Sequence, residues 1–481
     1  MENDLKRLSV KTSVRQEVIM YTELLTLCGF EPAEIEKERP RIDKAFQKLG
    51  IGEEDIRRGE SRIKEYFDVE LEGVRKLLGV WMKELVNMAL AREENRKVIM
   101  SEWPGPHTGF LAKAVHAVED VYFGTPGMVF TIVFGGIFDK LNPLLEAGEE
   151  LGQVPGSAHC GLFQMQVGAI EKGLIPVPDL IVAPGCVCDA GAEAGELIHE
   201  VYGIPVVYID ACLDWQWGEY PQIGTRQVKY ISRKLAKVRW RIEDVIGYEI
   251  PEEGLTRGLA SVAKTARLIQ TLVKLMAKAD PQPISQADLD LLYFMLATPL
   301  RHRDEVNEAP LADEVTQLIQ QGKGVVPRGA PRVYSAMRFA SNPDIWKMIQ
   351  DVGLAVPVAL LDWLPPEARQ QSQFTDPIEG LVDSAYRTTP ACTASGNIWY
   401  DVECCKAFNV DGAIAVYPFS CRAYANNPLM VVKAIKEEVG IPAITLEYGG
   451  YDCRDYPAGA LRTRVETLAE MLRMRKASKE G

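Results

Sequence analysis

The spacing of apolar residues divides the chain into four stretches of alternating character. Residues 1–100 carry apolar residues at every third or fourth position, as in "GVRKLLGVWMKELVNMALAREENRK", which is typical of amphipathic helices. Residues 101–221 have short apolar runs broken by Gly and Pro, such as "GMVFTIVFGG", "DLIVAP" and "IPVVYID", which predict strands. Helical spacing returns over 222–325, and strand candidates ("LAVPVALLDW", "DGAIAVYPF", "IPAITLEYGG") resume over 326–481.

This alternation predicts an α/β protein. Buried strands that alternate with helical stretches favour parallel sheets covered by helices. We therefore expect two similar parallel-sheet α/β domains, at 101–221 and 326–481. A helical insert at 222–325 would separate them, and a helical region at 1–100 would precede them.

Two segments repeat one pattern. They are "DLIVAPGCVCDAGAEAGELIHEVYGIPVVYID" at 179–210 and "DGAIAVYPFSCRAYANNPLMVVKAIKEEVGIPAITLE" at 411–447. Each runs from an Asp through a strand, a Pro and a Cys into a helix, then through Gly-Ile-Pro into a second strand. Ligands of open parallel sheets bind beyond the carboxyl ends of the strands, so Cys188 and Cys421 are candidate ligands. A helix start after each thiol should lower its pKa and stabilise a metal thiolate.

A third cysteine, Cys160, directly precedes the helical pattern "GLFQMQVGAIEKG". The chain lacks the CxxC pairs of zinc ribbons and the CxxCxxC run of ferredoxins. These absences leave a cluster held by cysteines that are far apart in sequence. Three such ligands would leave one iron open to substrate or water, as in catalytic metal sites.

Composition narrows the function classes. The 481 residues carry a formal charge of −13, which argues against nucleic acid as a partner. The N-terminus is polar, and the longest apolar stretch is too short to span a bilayer, so no membrane association and a cytoplasmic location are expected. Ten cysteines in such a chain indicate thiols or metal ligands rather than disulfides. No GxGxxG or P-loop pattern is present, so a partner would have to handle ATP.

At these residues the chain resembles the 2-hydroxyacyl-CoA dehydratase and benzoyl-CoA reductase family, which includes the double-cubane cluster proteins. The resemblance lies in Cys160, in Cys188-Asp189 with "GELIHEVYGIPVVYID", and in "DGAIAVYPFSC" with Cys421. It continues through the ending "GIPAITLEYGGYDCRDYPAGALRTRVETLAEML" and covers most of the chain from about residue 100.

The resemblance implies a 4Fe-4S cluster held by Cys160, Cys188 and Cys421. It also implies a separate ATP-hydrolysing iron–sulfur activator that delivers single electrons, and a homologous subunit in a homodimer or heterodimer. The expected reaction forms a ketyl radical from an acyl-CoA thioester, in 2-hydroxyacyl-CoA dehydration or benzoyl-CoA reduction. Two alternatives remain open. One is a double-cubane 8Fe-9S reductase of a small molecule without CoA, and the other is an electron-relay or scaffold subunit beside a catalytic homologue.

Further residues are candidates for these roles. A double cubane needs additional thiolates, and Cys186, Cys404, Cys405 and Cys453 lie near enough in sequence to the first three cysteines to be candidates. One of Cys404 and Cys405 should be core, because adjacent helix positions point in different directions. Asp189 is interpreted as a first-turn helix residue, and Cys28, Cys212 and Cys392 as structural. The candidate proton donors, all near predicted strand ends, are His107, His159 and Glu447.

Overall fold

A computed structural model describes residues 21–102, 106–118, 120–153, 159–184, 188–210, 218–307, 309–366, 370–388, 393–425, 427–452, 454 and 456–480. It contains two four-stranded parallel sheets surrounded by helices, which confirms the predicted α/β class. The division into four domains stays a prediction. The strands themselves fall within 97–209 and 332–448.

The N-terminal region is helical, as predicted. Its helices are α1 (Thr22–Leu27), α2 (Pro32–Lys48), α3 (Glu53–Tyr66) and α4 (Glu72–Leu90). Helix α4 is buried along most of its length, and the Trp81 indole N–H donates to the Leu291 carbonyl at 3.0 Å. The N-terminal helices therefore pack onto the helical insert.

The first sheet is built from β1 (Lys97–Ser101), β2 (Val121–Gly124), β3 (Leu180–Pro184) and β4 (Val206–Ile209), in the order β2-β1-β3-β4. Around it lie α5 (Pro106–Val115), α6 (Pro126–Val129), a π-helical continuation (Phe130–Ile137), α7 (Asn142–Glu150), α8 (Gly161–Glu171) and α9 (Ala190–Tyr202). Neighbouring strands pair in parallel throughout. Their carboxyl ends consequently form a single edge of the sheet.

Helices of the insert follow and join the two sheets. They are α10 (Thr225–Ile246), α11 (Glu252–Lys278), α12 (Gln286–Ala297), α13 (Arg303–Asn307) and α14 (Leu311–Gln320). Helix α11 contacts α5 beside the first sheet and also the strand Ala355–Ala359 of the second sheet. Within the described residues, the structure has no helix both long and apolar enough to cross a membrane.

The second sheet repeats the strand order of the first, as β6-β5-β7-β8. Its elements are β5 (Arg332–Ser335), α15 (Pro343–Asp351), β6 (Ala355–Ala359), α16 (Pro377–Thr388), α17 (Ala394–Ala407), β7 (Gly412–Pro418), α18 (Pro428–Ala434) with a π-helical continuation (Ile435–Val439), β8 (Ala443–Tyr448) and α19 (Ala458–Glu480). The strand candidates of this half are therefore confirmed, and the two halves share one topology.

Two apolar cores run through both halves. Alternate strand residues point to opposite faces of a sheet, so neighbouring positions enter different cores. Val98 and Ile414 belong to one cluster, whereas Ile99 and Ala413 belong to the other. Each core thus collects one face of each sheet, and this arrangement joins the halves into one folded unit.

The prediction of a strand at "GMVFTIVFGG" is wrong. This segment forms α6 and the π-helical residues Phe130–Ile137, all of them buried. A helix buried on every side shows no polar face, so its apolar run cannot be told from a buried strand by periodicity. The apolar pattern also did not identify β1 and β2 as separate strands.

The repeated segments use the same local devices. Asp179 accepts a hydrogen bond from the Val98 backbone N–H at 2.7 Å, and Asp411 accepts the equivalent one from Arg332 at 2.9 Å. Each helix then ends at a glycine with positive φ, 70° at Gly203 and 72° at Gly440, a conformation that costs other residues free energy. The sequence repeat is therefore a structural repeat.

Candidate functional site

Two cysteines of the first half precede helices at the carboxyl edge of the sheet. Cys160 is the N-cap residue of α8 and is buried, and the nearby backbone N–H groups of Leu162 and Phe163 act to lower the pKa of its thiol. Cys188 directly precedes Asp189, the N-cap residue of α9, and the nearby Ala190 N–H acts on its pKa in the same direction. These positions agree with the sequence prediction.

Cys421 differs from that prediction in its surroundings. Helix α18 begins only at Pro428, so a turn rather than a helix follows Cys421. The nearby Ala423 and Tyr424 N–H groups of this turn act to lower the pKa of the Cys421 thiol, although burial raises it overall. The turn supplies the donors that the sequence pattern predicted from a helix start.

The three thiols converge. Burial raises the pKa of Cys160 well above its usual range, and the nearby charges of Cys421 and Cys188 raise it further. Burial, followed by the charge of Cys421, likewise raises the pKa of Cys188 to about 12. The expectation of lowered thiol pKa values is thus wrong for the protein without a bound cation, because burial outweighs the backbone donors. Two cysteines from one sheet and one from the other therefore share a single electrostatic environment.

An ion pair ties the flanks of Cys188 and Cys421 together. The Arg422 guanidinium donates to Asp189 at 2.7 Å and to Glu193 at 2.9 Å. Arg422 and Asp189 each stand directly beside a candidate ligand. This contact fixes the second half against the start of α9.

A second link joins the loop after β8 to the start of α8. A Cβ atom on Gly161 would lie 3.0 Å from the backbone of Tyr451 and Asp452, so glycine permits this close approach. The Ser420 hydroxyl donates to the Gly449 carbonyl at 2.6 Å. The residues beside Cys160 and Cys421 are thereby held by the same loop.

Of the three predicted proton donors, the structure places one beside the cysteine site. His159 lies beside Cys160, with Nε2 4.0 Å from Glu193 Oε2. Glu447 is an exposed position on β8. His107 lies in the first turn of α5, but its side chain is outside the described part of the chain. The structure therefore places His159 at the cysteine site and does not bring Glu447 to it.

The additional cysteines are separate from the three. Cys404 and Cys405 lie on α17 and are both buried in a different core cluster from Cys160. The prediction that one of this pair is core is confirmed, and the other is buried in the core as well. Cys28 is buried among the N-terminal helices. Four cysteines lie outside the described residues: Cys186, Cys212, Cys392 and Cys453.

The sequence patterns did not reveal a buried acid, Glu102. It follows β1 directly, is 0% exposed, and accepts a hydrogen bond from the Gln166 amide at 2.9 Å. Burial raises the pKa of Glu102 to about 8. A carboxylate directly after the apolar run "KVIMS" was the available signal, because strand carboxyl ends carry the sites of parallel sheets.

The three thiols are the kind of ligand that iron–sulfur clusters use. Within the described residues, no group of three or more His, Cys, Asp or Glu side chains could hold one metal ion. In an iron–sulfur cluster each thiolate binds a different iron, so the ligands lie farther apart than around one ion. Thiolates suit such clusters, and backbone N–H donors to their sulfurs tune the bound group. Cys160, Cys188 and Cys421 have both properties.

Comparison with known proteins places this architecture in a family. The family model "2-hydroxyglutaryl-CoA dehydratase, D-component" matches residues 131–472, which is more than half of the chain and includes all three cysteines. The chain belongs to this family, as the sequence resemblance predicted. The match begins within the π-helical segment and ends in α19.

Several curated proteins are similar at low identity. The alpha subunit of (R)-phenyllactyl-CoA dehydratase from Clostridium sporogenes is 21% identical, over 68% of this chain and 80% of that protein. A subunit of benzoyl-CoA reductase from Thauera aromatica is 22% identical, over 65% and 76%. The alpha subunit of (R)-2-hydroxyglutaryl-CoA dehydratase from Acidaminococcus fermentans is 20% identical, over 62% and 61%. The relatives are thus subunits of both dehydratases and a reductase.

Proposed function

We propose that the protein is the iron–sulfur subunit of a low-potential enzyme that acts on acyl-CoA thioesters. Cys160, Cys188 and Cys421 would hold a 4Fe-4S cluster, and the reaction would be 2-hydroxyacyl-CoA dehydration or benzoyl-CoA reduction. The observation that carries this proposal is that three thiols from both halves of the chain lie in one electrostatic environment, each beside backbone N–H groups that favour a thiolate.

The raised thiol pKa values support a cationic occupant. Burial raises the pKa of all three thiols, and the charge of Cys421 raises it further at Cys160 and Cys188, so the thiols stay protonated unless a positive charge offsets these effects. Iron binding releases these protons and supplies that charge. When bound, such a cluster would transfer single electrons and polarise a substrate oxygen at an iron without a protein ligand.

The chain itself would orient the substrate and exclude water. Tyr451 packs between the two halves, where burial and then the charges of Cys160 and Cys421 raise its pKa well above its usual range. Its phenol therefore remains protonated and can donate a hydrogen bond at neutral pH. The Arg422 ion pair links the residues beside Cys188 and Cys421. A radical formed on a thioester carbonyl needs this kind of enclosure.

A double-cubane reductase that does not use CoA remains a second candidate. Tyr451 and Asp452 contact the start of α8, and Cys453 is the next residue along the chain. Cys186 likewise stands two positions before Cys188. These two cysteines, rather than the core residues Cys404 and Cys405, are therefore the best sources of additional ligands for a second cubane.

We also propose two protein partners. The relatives are named as single subunits of larger enzymes, so a homologous second subunit is expected here. Because no nucleotide-binding motif is present in the sequence, a separate ATP-hydrolysing iron–sulfur protein would deliver the electrons.

The test uses protein purified without oxygen and reduced with titanium(III) citrate, a one-electron donor. Paramagnetic resonance spectra are recorded with and without 2-hydroxyacyl-CoA, benzoyl-CoA and free CoA. We expect an acyl-CoA to change the spectrum of the wild type and of Cys28→Ala, whose thiol lies away from the site. If the spectrum of the iron-loaded protein does not change with any acyl-CoA, the acyl-CoA assignment is contradicted and the CoA-independent reductase is favoured.

A further inference from the structure

Glu102 lies directly below the two cysteine-bearing helices of the first half. Its backbone N–H donates to the Val182 carbonyl at 3.0 Å, which continues the β1–β3 pairing by one residue. A Cβ atom built on Gly191, in the first turn of α9, would lie 3.5 Å from the Glu102 Cβ. It would also lie 3.2 Å from the ring of Phe163, in the first turn of α8. The carboxyl group is thus placed where α8 and α9 begin.

Within the described part of the chain, this carboxyl group has no counter-ion. Its Oε1 accepts from the Gln166 amide, and its Oε2 is buried with no hydrogen-bond partner among those residues. The groups that face it from β3, α8 and α9 are Val182, Gln166, Phe163 and Gly191, none of which titrates.

The titratable groups at the starts of α8 and α9 are the thiols of Cys160 and Cys188 and, beside them, His159, Asp189 and Glu193. Arg422 binds the two carboxylates. The other titratable residues of these helices stand farther along them: Glu171, Glu196, His199, Glu200 and Tyr202. Glu102 differs from all of these groups because its carboxyl is fully buried and has no charged partner among the described residues, so a proton bound there changes the charge near the helix starts.

The second half has no acid at the matching position. Ser101 ends β1 and Ser335 ends β5, and the next residue is Glu102 in one case and Ala336 in the other. The Ala336 N–H donates to the Ile414 carbonyl at 2.8 Å, just as the Glu102 N–H donates to Val182. The fold at this strand end therefore does not require a carboxyl group. Its presence in the half that supplies two cysteines points to a function.

We propose that Glu102 is a redox-linked proton site, which binds one proton when one electron reaches the cysteine centre. An added negative charge is costly in a buried site, and a proton bound nearby offsets it. One electron comes from the external one-electron donor and one proton comes from solvent. The only bond formed on the protein is O–H at the Glu102 carboxylate. This proposal rests on the proposed iron–sulfur function and names a residue that supports it.

The experiment measures the reduction potential of the iron-loaded protein as a function of pH. Because burial keeps Glu102 protonated below about pH 8, the potential should be constant there and fall at higher pH. The slope should approach 59 mV per tenfold change in proton concentration, the value for one proton per electron. Glu102→Gln should abolish this slope.

Two variants make the result decisive. Asp401→Asn removes another buried carboxyl with a pKa raised to about 7 by burial, and it should keep the wild-type slope. Glu102→Asp keeps a carboxyl group and should shift the pH above which the reduction potential begins to fall. This variant tests the proposal if Glu102→Gln does not fold. An equal slope in wild type and Glu102→Gln, or a flat wild-type profile, overturns the proton site alone. Protein that binds no iron under anaerobic conditions overturns the proposed function as well.

Discussion

The two halves of the molecule share a scaffold but divide the chemistry unequally. Both have the same strand order, an Asp that accepts from the central strand, and a positive-φ glycine after the repeated helix. The first half places Cys160 as the N-cap of α8, whereas Thr393 caps the corresponding helix α17 of the second. A repeated fold thus supplies a repeated position, and the residue at each copy decides what it can bind.

Glu102, which has no counterpart in the second half, should cause the largest energetic difference between the halves. Burial raises the pKa of Glu102 from 4.5 to about 8, so the folded state holds its proton more tightly than the unfolded chain does. Stability present below pH 4.5 is therefore lost as the pH rises to about 8. Relative to Glu102→Gln, wild type should lose about 4–5 kcal/mol over this range. Urea unfolding of both proteins between pH 4.5 and 9 measures the difference, and parallel curves would contradict it.

A buried ion cluster anchors the second half to the helical insert. The Arg338 guanidinium binds Asp290 at 2.6 Å and also binds Asp362, and all three side chains are almost completely buried. Arg338→Met leaves two buried carboxylates without a cation and should cost about 3–5 kcal/mol. Urea unfolding at neutral pH measures this loss. A change below about 1 kcal/mol, the range of exposed ion pairs, would show that the cluster does not hold this half in place.

The paired aspartates test whether the two copies are energetically equivalent. Asp179→Ala and Asp411→Ala each remove a charged acceptor from a backbone N–H and should cost about 1.5–3 kcal/mol. The loss should be larger at Asp179, which also lies 3.0 Å from Arg92 and is the less exposed of the two. Unfolding of both variants under one condition gives the order, and the reverse order would contradict this account.

The paired glycines should show the smallest difference. A Cβ atom at Gly203 or Gly440 meets nothing within 4 Å, so only the positive φ opposes substitution. Gly203→Ala and Gly440→Ala should each cost about 1–2 kcal/mol. Thermal unfolding of the two variants checks the match. A clearly unequal loss would show that the two helix ends are not equivalent.

Periodicity and the repeated motif predicted most of this scaffold. The α/β class, strands β3, β4, β6, β7 and β8, and the positions of Cys160 and Cys188 followed from short apolar runs and the Gly-Ile-Pro repeat. The buried helix at Phe130–Ile137 was misread, because residues buried on all sides lose their periodicity. The turn after Cys421 was also missed. The apolar spacing indicates the helix that follows, but it does not show that this helix begins only at Pro428.

The contacts across the site could not be read from the sequence. Arg422 and Asp189 are separated by more than 200 residues and meet only because the two halves pack together. The raised thiol pKa values likewise depend on burial, which outweighs the local N–H donors. Local patterns therefore identified the candidate ligands, whereas the pKa values of their thiols depend on the tertiary structure.

The most direct test is the iron and acid-labile sulfide content per chain of anaerobically purified protein. The comparison uses wild type, Cys188→Ala and Cys421→Ala, with Cys28→Ala as the control from outside the site. We predict about four irons in wild type and control for a single cubane, or about eight for a double cubane. Cys188→Ala removes a proposed ligand of the first half, and Cys421→Ala removes the proposed ligand of the second half. Either variant should therefore lose most of the iron. Iron-free wild type, or full iron content in both variants, would contradict the claim that the two halves share one cluster.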